Sequence, residues 1–202
     1  MIPVNADTLR AIAPKFPPQN AINQQQIITL VGAVLAETLD HYDINTNLRI
    51  AHFLGQVCVE SAGFRTTQEF ASGAEYEGRR DLGNVIPGDG ERYKGRGLIQ
   101  LTGRANYRQM AGILHLPLED DPSAAAKPAL SLTIACEYWK SRNINAAADR
   151  DDANTVTHLI NGGYNALAER IRFTNIALAE VNRLVAATKL PDFSDVQGDV
   201  IK

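Results

Sequence analysis

Two carboxylates stand nine positions apart at Glu60 and Glu69. Glu60 follows Val57 by three positions and Phe53 by seven, so it extends an apolar helical stripe at its C-terminal end. Partial burial and the negative end of the helix dipole both raise a carboxyl pKa, as a general acid working near neutral pH requires. The plainer alternative is a side chain turned to water at a frayed helix end. Glu69 lies beyond Gly63 in a polar loop, where the returning chain could face it toward Glu60. A pair about 6.5–9.5 Å apart suits the inverting cleavage of a glycosidic bond. Spacing alone does not single out Glu69, because Glu75, Glu77, Asp81, Asp89 and Glu91 share its loop.

A second group of candidates occupies Tyr93 to Tyr107. Gly95 and Gly97 suggest a phosphate loop, but Gln100 stands where a dinucleotide fingerprint needs its third glycine, and no Gly-Lys-Ser/Thr follows. The segment offers uncharged donors and acceptors at Gln100, Thr102 and Asn106, with Tyr93 and Tyr107 as amphipathic plates. That inventory suits a sugar, bonded at its edges and stacked on its face. Asn161, in Ile160-Asn161-Gly162-Gly163-Tyr164, is either a further polar contact or a helix C-cap. No metal is expected: His41, His52, His115 and His158 are scattered, and Cys58 and Cys136 form no Cys-x-x-Cys pair. Cys58 lies on an apolar helical face, which suits a reduced core thiol rather than a nucleophile.

Helices must position these groups. Apolar residues recur at Ile27, Leu30, Val31, Val34 and Leu35 within Asn20 to Asp40, and at Ile50, Phe53, Leu54, Val57 and Cys58 from about Asn47 to Ala62. Shorter helices are expected at Leu130 to Lys140 and Thr155 to Ile160, and a last one from about Ala166 to Ala187. Eight of the fifteen glycines fall between Gln68 and Gly103, so that stretch reads as a long ordered loop with a short strand or hairpin near Leu98 to Thr102. The expectation is one domain over 1–202, with its core at about 20–187 and a loosely held polar tail at 191–202.

Composition narrows the partners. With 45% hydrophobic residues, 20 Lys+Arg against 23 Asp+Glu and a net charge of −3, the chain suits a globular domain rather than a disordered one. It lacks the basic excess that nucleic acid or an anionic membrane surface demands. The apolar run from Ile27 to Ala36 is too short to span a bilayer, so no membrane insertion is expected. The first residues carry no cationic region followed by an apolar stretch, which predicts synthesis in the cytoplasm.

Four blocks in order resemble the catalytic domain of glycoside hydrolase family 19, the plant-type chitinases with their bacterial and phage endolysin relatives. They are Arg49-Ile50-Ala51-His52-Phe53-Leu54-Gly55-Gln56 leading into Glu60-Ser61-Ala62-Gly63-Phe64; Glu69; Gly95 through Tyr107; and Ile160-Asn161-Gly162-Gly163 with Arg170 downstream. The resemblance runs from about Asn20 to Leu184 and implies a mainly α, lysozyme-like (α+β) domain. Its helices would surround a substrate cleft, with a small loop or hairpin lobe as one wall. It implies Glu60 as general acid, Glu69 as general base and Thr102 as the hydroxyl that helps hold the attacking water, with Gln100, Asn106 and Asn161 binding substrate and no cofactor. Many relatives have His before the acid, where this chain has Val59, and the loop after Glu69 is shorter than in plant chitinases, which implies a more open cleft. The expected activity is cleavage of β-1,4 bonds in peptidoglycan by a monomeric lysozyme-type endolysin that reaches the wall by another route. A chitinase is the alternative within the class, and a non-catalytic glycan-binding protein the alternative outside it.

Overall fold

The computed structural model describes residues 1–188, except the side chain of Asn20; the tail expected at 191–202 lies outside them. In chain order the helices are α1 (Ala6–Ile12), α2 (Pro18–Gly32), α3 (Leu35–His41), α4 (Asn47–Glu60), α5 (Asp89–Arg92), α6 (Arg104–Leu114), α7 (Pro128–Ser141), α8 (Asn145–Ala148), α9 (Ala153–Asn161) and α10 (Leu167–Ala187). The largest interface joins α4 to α10. It closes at Gly55, where a Cβ would lie 2.7 Å from the backbone nitrogen of Thr174, so only glycine lets the helices approach this closely. Thr46 caps the start of α4, its hydroxyl accepting from the Arg49 amide at 3.3 Å. Along α4 everything from Ile50 to Cys58 is buried, and Phe53 meets the Trp139 indole of α7 edge-on, centroids 5.4 Å apart.

Three expectations change. The helix read from Asn20 to Asp40 is two helices, the first ending at Gly32, where the chain passes so close to α1 that a Cβ would sit 2.6 Å from the Ala6 Cβ. The core begins at Val4, ahead of residue 20: α1 forms behind a capping box made by Asn5 and Thr8 and buries Leu9 and Ile12. The hairpin at Leu98 to Thr102 reduces to two isolated bridges, Gln68 with Arg96 and Arg96 with Leu101, and the described residues form no longer strand. Both cysteines are free and buried, and burial pushes the Cys58 thiol up to about 12.

The segment from Gln68 to Gly103 is ordered by polar ties. Asp89 is buried and accepts from the amides of Val85 and Ile86 and from the Arg104 guanidinium at 2.5 and 3.0 Å. Glu119 joins it, bound by Arg104 at 3.1 Å and Arg108 at 2.7 Å. Buried Asn84 accepts from the Arg104 amide and donates to the Tyr76 carbonyl. Glu77 takes the amides of Gly88 and Gly90. These charge-assisted bonds do here what apolar packing does among the helices.

Candidate active site

Glu60 is the last residue of α4 and is 17% exposed. The apolar surrounding expected for it is not what the structure holds. The guanidinium of Arg170, itself only 3% exposed on α10, donates through Nη2 to Glu60 Oε1 at 2.6 Å. Through Nη1 it also donates to Gln56 Oε1 at 2.7 Å, and through Nε to the Asn165 carbonyl. Gln56 passes the tie on, donating to the Thr157 hydroxyl of α9 at 3.1 Å. Three helices thus fix the direction of one carboxylate, and the alternative of a side chain swung into water at a frayed end is excluded.

Glu69 directly follows the bridge of Gln68 with Arg96 in the loop lobe, its amide donating to the Gly95 carbonyl at 3.0 Å. Tyr76 donates its hydroxyl to Oε2 at 3.0 Å, while Oε1 is buried with no partner among the described residues. Burial and that bond push the Tyr76 phenol up to about 12, so it stays a proton donor to Glu69. Gly95 makes room for this arrangement, since a Cβ there would lie 3.1 Å from Glu69 Oε2 and 2.8 Å from Gln100 Oε1. Glu69 therefore abuts Gln100 across a single glycine.

Gln100, Thr102, Asn106 and Asn161 come together in one cleft of about 430 Å³, between the segment leading into α6 on one side and α7 and α9 on the other. Gln100 holds a left-handed backbone (φ +55°), strain retained because its side chain is tied to the Gly97 carbonyl and Arg96 and Leu101 bridge around it. The Thr102 hydroxyl donates to the Gln100 carbonyl, which leaves its lone pairs to accept. Asn106 donates to the Thr102 carbonyl, and Asn161 Oδ1 is a buried acceptor without a partner among the described residues. An orphaned buried acceptor is costly unless a ligand donor satisfies it. Gly162, left-handed at φ +72°, is the residue that ends α9, so Asn161 is its final turn rather than its cap.

Tyr93 and Tyr107 do not serve as plates for a sugar. They are 1% and 0% exposed, and their hydroxyls donate to the carbonyls of Glu119 and Lys94. They are the apolar centre of the loop lobe, beneath the cleft residues rather than among them. The cleft's aromatic is Tyr138, unmarked by the sequence reading, whose hydroxyl donates to the Ile160 carbonyl at 3.2 Å and whose ring lies under the Arg142 guanidinium at 3.4 Å. Burial raises its pKa, Arg142 opposes, and the Glu60 charge adds to the rise. Arg170, Gln56, Tyr76 and Arg142 likewise carried no signal of their own beyond the places of Gln56 and Arg170 in the matching blocks, since each is defined by a side-chain contact that spacing does not encode.

No family model matches the chain. Among curated proteins it is 37% identical over 97 residues to a glycosyl hydrolase family 19 domain-containing protein of Haemophilus influenzae, covering 48% of this chain and 46% of that one. It is 34% identical over 130 residues to an endochitinase of Arabidopsis thaliana, covering 63% and 44%. The chain thus spans less than half the length of these relatives. Among solved structures, chitinase C from Streptomyces griseus shares the fold, with a TM-score of 0.65 over 90% of this chain and 77% of that one at 20% identity.

Proposed function

We propose, taking as premise that the chain is a relative of the family 19 glycoside hydrolases, that it hydrolyses β-1,4 glycosidic bonds with inversion, Glu60 acting as general acid and Glu69 as general base. What supports this reading is two differently held carboxylates, Glu60 bound by Arg170 and Glu69 by Tyr76, the second separated only by Gly95 from Gln100 of a cleft lined mainly by uncharged hydrogen-bonding groups. Glu60 gives its proton to the glycosidic oxygen. Glu69 takes a proton from water attacking the opposite face of the ring, and the Thr102 hydroxyl accepts from that water. Arg170 then faces the carboxylate that Glu60 becomes after proton transfer. Tyr76 keeps one Glu69 oxygen engaged, and the unpartnered Oε1 is left for the water. Gln100, Asn106 and the free acceptor of Asn161 bind N-acetylated sugar.

For the substrate we favour peptidoglycan. Arg142 lies in the cleft, makes no ion pair among the described residues, and is held flat on Tyr138 where the lactyl carboxylate or stem peptide of a muramyl sugar could meet it. Chitin is the second reading, favoured by the relatives' names and by a cleft whose other polar groups are uncharged. Incubation with purified peptidoglycan and separately with chitin oligomers, with Glu60→Gln as control and mass spectrometry of new reducing ends, decides between them. Fragments ending in N-acetylmuramic acid support the muramidase. Chitin fragments alone support the chitinase, and binding without any product would leave a glycan-binding protein.

A further inference from the structure

A second groove lies between α2 and the segment 65–70 that leads into Glu69, and its chemistry is not that of an ordinary helix surface. Residues 16–36 contain no Lys, Arg, Asp or Glu, yet α2 presents an exposed face to water. On that face Gln19, Asn23 and Gln26 recur at helical spacing, and none of these amides is hydrogen-bonded to another described residue. Ile22 and Phe70 stand beside them, 70% and 77% exposed. Exposed helix faces are normally charged, and large apolar side chains gathered on one surface mark a binding site.

The groove has fixed walls. Gln24, on the buried side of α2, donates to the carbonyls of Pro14 at 2.9 Å and Gly63 at 2.7 Å, locking the helix to the turn that follows Glu60. Across from it the Arg65 guanidinium is stacked between the rings of Phe16 and Phe70, at 5.1 and 5.5 Å, with its Nε buried and unpartnered among the described residues. Two adjoining hollows of about 540 and 280 Å³ share Asn23, Arg65 and Thr66, and the second reaches Gln68, the neighbour of Glu69.

We propose that this groove is a further saccharide-binding surface, which takes the N-acetylhexosamine strand where it leaves the cleft past Glu69. Uncharged amides in a row read hydroxyl and acetamido groups, an exposed aromatic face receives the apolar face of a sugar ring, and Arg65 supplies donors. The groove makes long strands better ligands than short ones, because a ligand too short to pass Glu69 never reaches Phe70. The inference rests on the glycosidase reading for the class of ligand, but binding tests it without turnover.

The probe is the N-acetylglucosamine hexamer, titrated into isotope-labelled Glu60→Gln protein so that hydrolysis cannot shorten it, with the dimer as the short comparison. Side-chain amide signals of Asn23 and Gln26 report the groove, and those of Asn106 and Asn161 the cleft. The hexamer is expected to move both sets and the dimer to leave Asn23 and Gln26 still. Phe70→Ala, which removes an exposed ring and does not threaten the fold, should weaken hexamer binding about fivefold. If the otherwise wild-type protein cuts chitin oligomers, the same change should lower kcat/KM on the hexamer by a like factor and spare the tetramer. A hexamer that shifts the cleft signals alone, or no signals at all, overturns the groove. Groove shifts accompanied by no hydrolysis of either the hexamer or purified peptidoglycan by the wild-type protein leave the groove standing and remove the glycosidase reading instead.

Discussion

Glu60 is carried by packed helices, whereas Glu69 is carried by a lobe of turns tied together with charged hydrogen bonds. Around Glu60 the frame is α4 against α10, closed at Gly55, with the one polar path Thr157, Gln56, Arg170 buried inside it. Around Glu69 the frame is Tyr76, Asn84 and Arg104, each bound to the next through a side chain, with Asp89 and Glu119 both held by the Arg104 guanidinium. Apolar packing is dense and barely sensitive to pH, while a lattice of carboxylates and guanidiniums depends on ionisation. Glu60 is thus set by volume and Glu69 by charge, and each can be disturbed without the other.

The sharpest way to show that both frames serve one reaction is to leave them intact and remove the chemistry. Glu60→Gln and Glu69→Gln should each lower turnover by about 10²–10⁴ while melting near the wild-type temperature, read by steady-state kinetics and calorimetry. Breaking the helical frame is the next largest effect. Gly55→Val drives a side chain into Thr174 and should cost about 3 kcal/mol of global stability in denaturant unfolding, with a lower midpoint. Breaking the loop frame should act locally: Asp89→Asn removes the charge that holds Arg104 and costs about 2 kcal/mol of local stability. Hydrogen exchange should then quicken between Tyr76 and Arg104 while α4 and α10 keep their protection, and kcat should fall with the lobe.

The smallest expected effect is a pH step confined to one region. Arg108 and Arg104 hold the Glu119 carboxyl down from its ordinary 4.5 to about 2. A carboxyl depressed on folding stabilises the native state above its unfolded value and loses that contribution as pH falls through its folded one. Between about pH 4.5 and 2 the ring signals of Tyr93 in the lobe should therefore broaden before the indole signal of Trp139 in the helical core. Glu119→Gln should remove the difference.

The same contrast explains what could be read from the residues. The second helical stripe announced itself over Asn47 to Ala62 and exists over Asn47–Glu60, and the last was expected from Ala166 and begins at Leu167, because helix packing imposes a 3.6-residue period on the chain. α1 escaped because seven residues are too few for that period to show, and α6 because its buried side is only Tyr107 and Met110 among polar neighbours. Tyr93 and Tyr107 were misjudged for a related reason. A tyrosine in a glycine-rich polar stretch resembles a surface plate, and nothing local reveals that Arg96 and the backbone of Glu119 close over it. Gln100, Thr102, Asn106 and Asn161 share the cleft, whereas the partners of the carboxylates, Arg170 and Tyr76, are set by contacts no spacing encodes.

The most direct test of the proposed inversion by two carboxylates is proton NMR of the newly formed reducing end, taken in the first minutes of hydrolysis of whichever of the two polymers the protein is found to cut. Cleavage of a β-1,4 bond should release the α-anomer first, with β-anomer growing in only by mutarotation. Initial release of the β-anomer would contradict the account, because retention requires a covalent or substrate-assisted step in place of Glu69 acting on water.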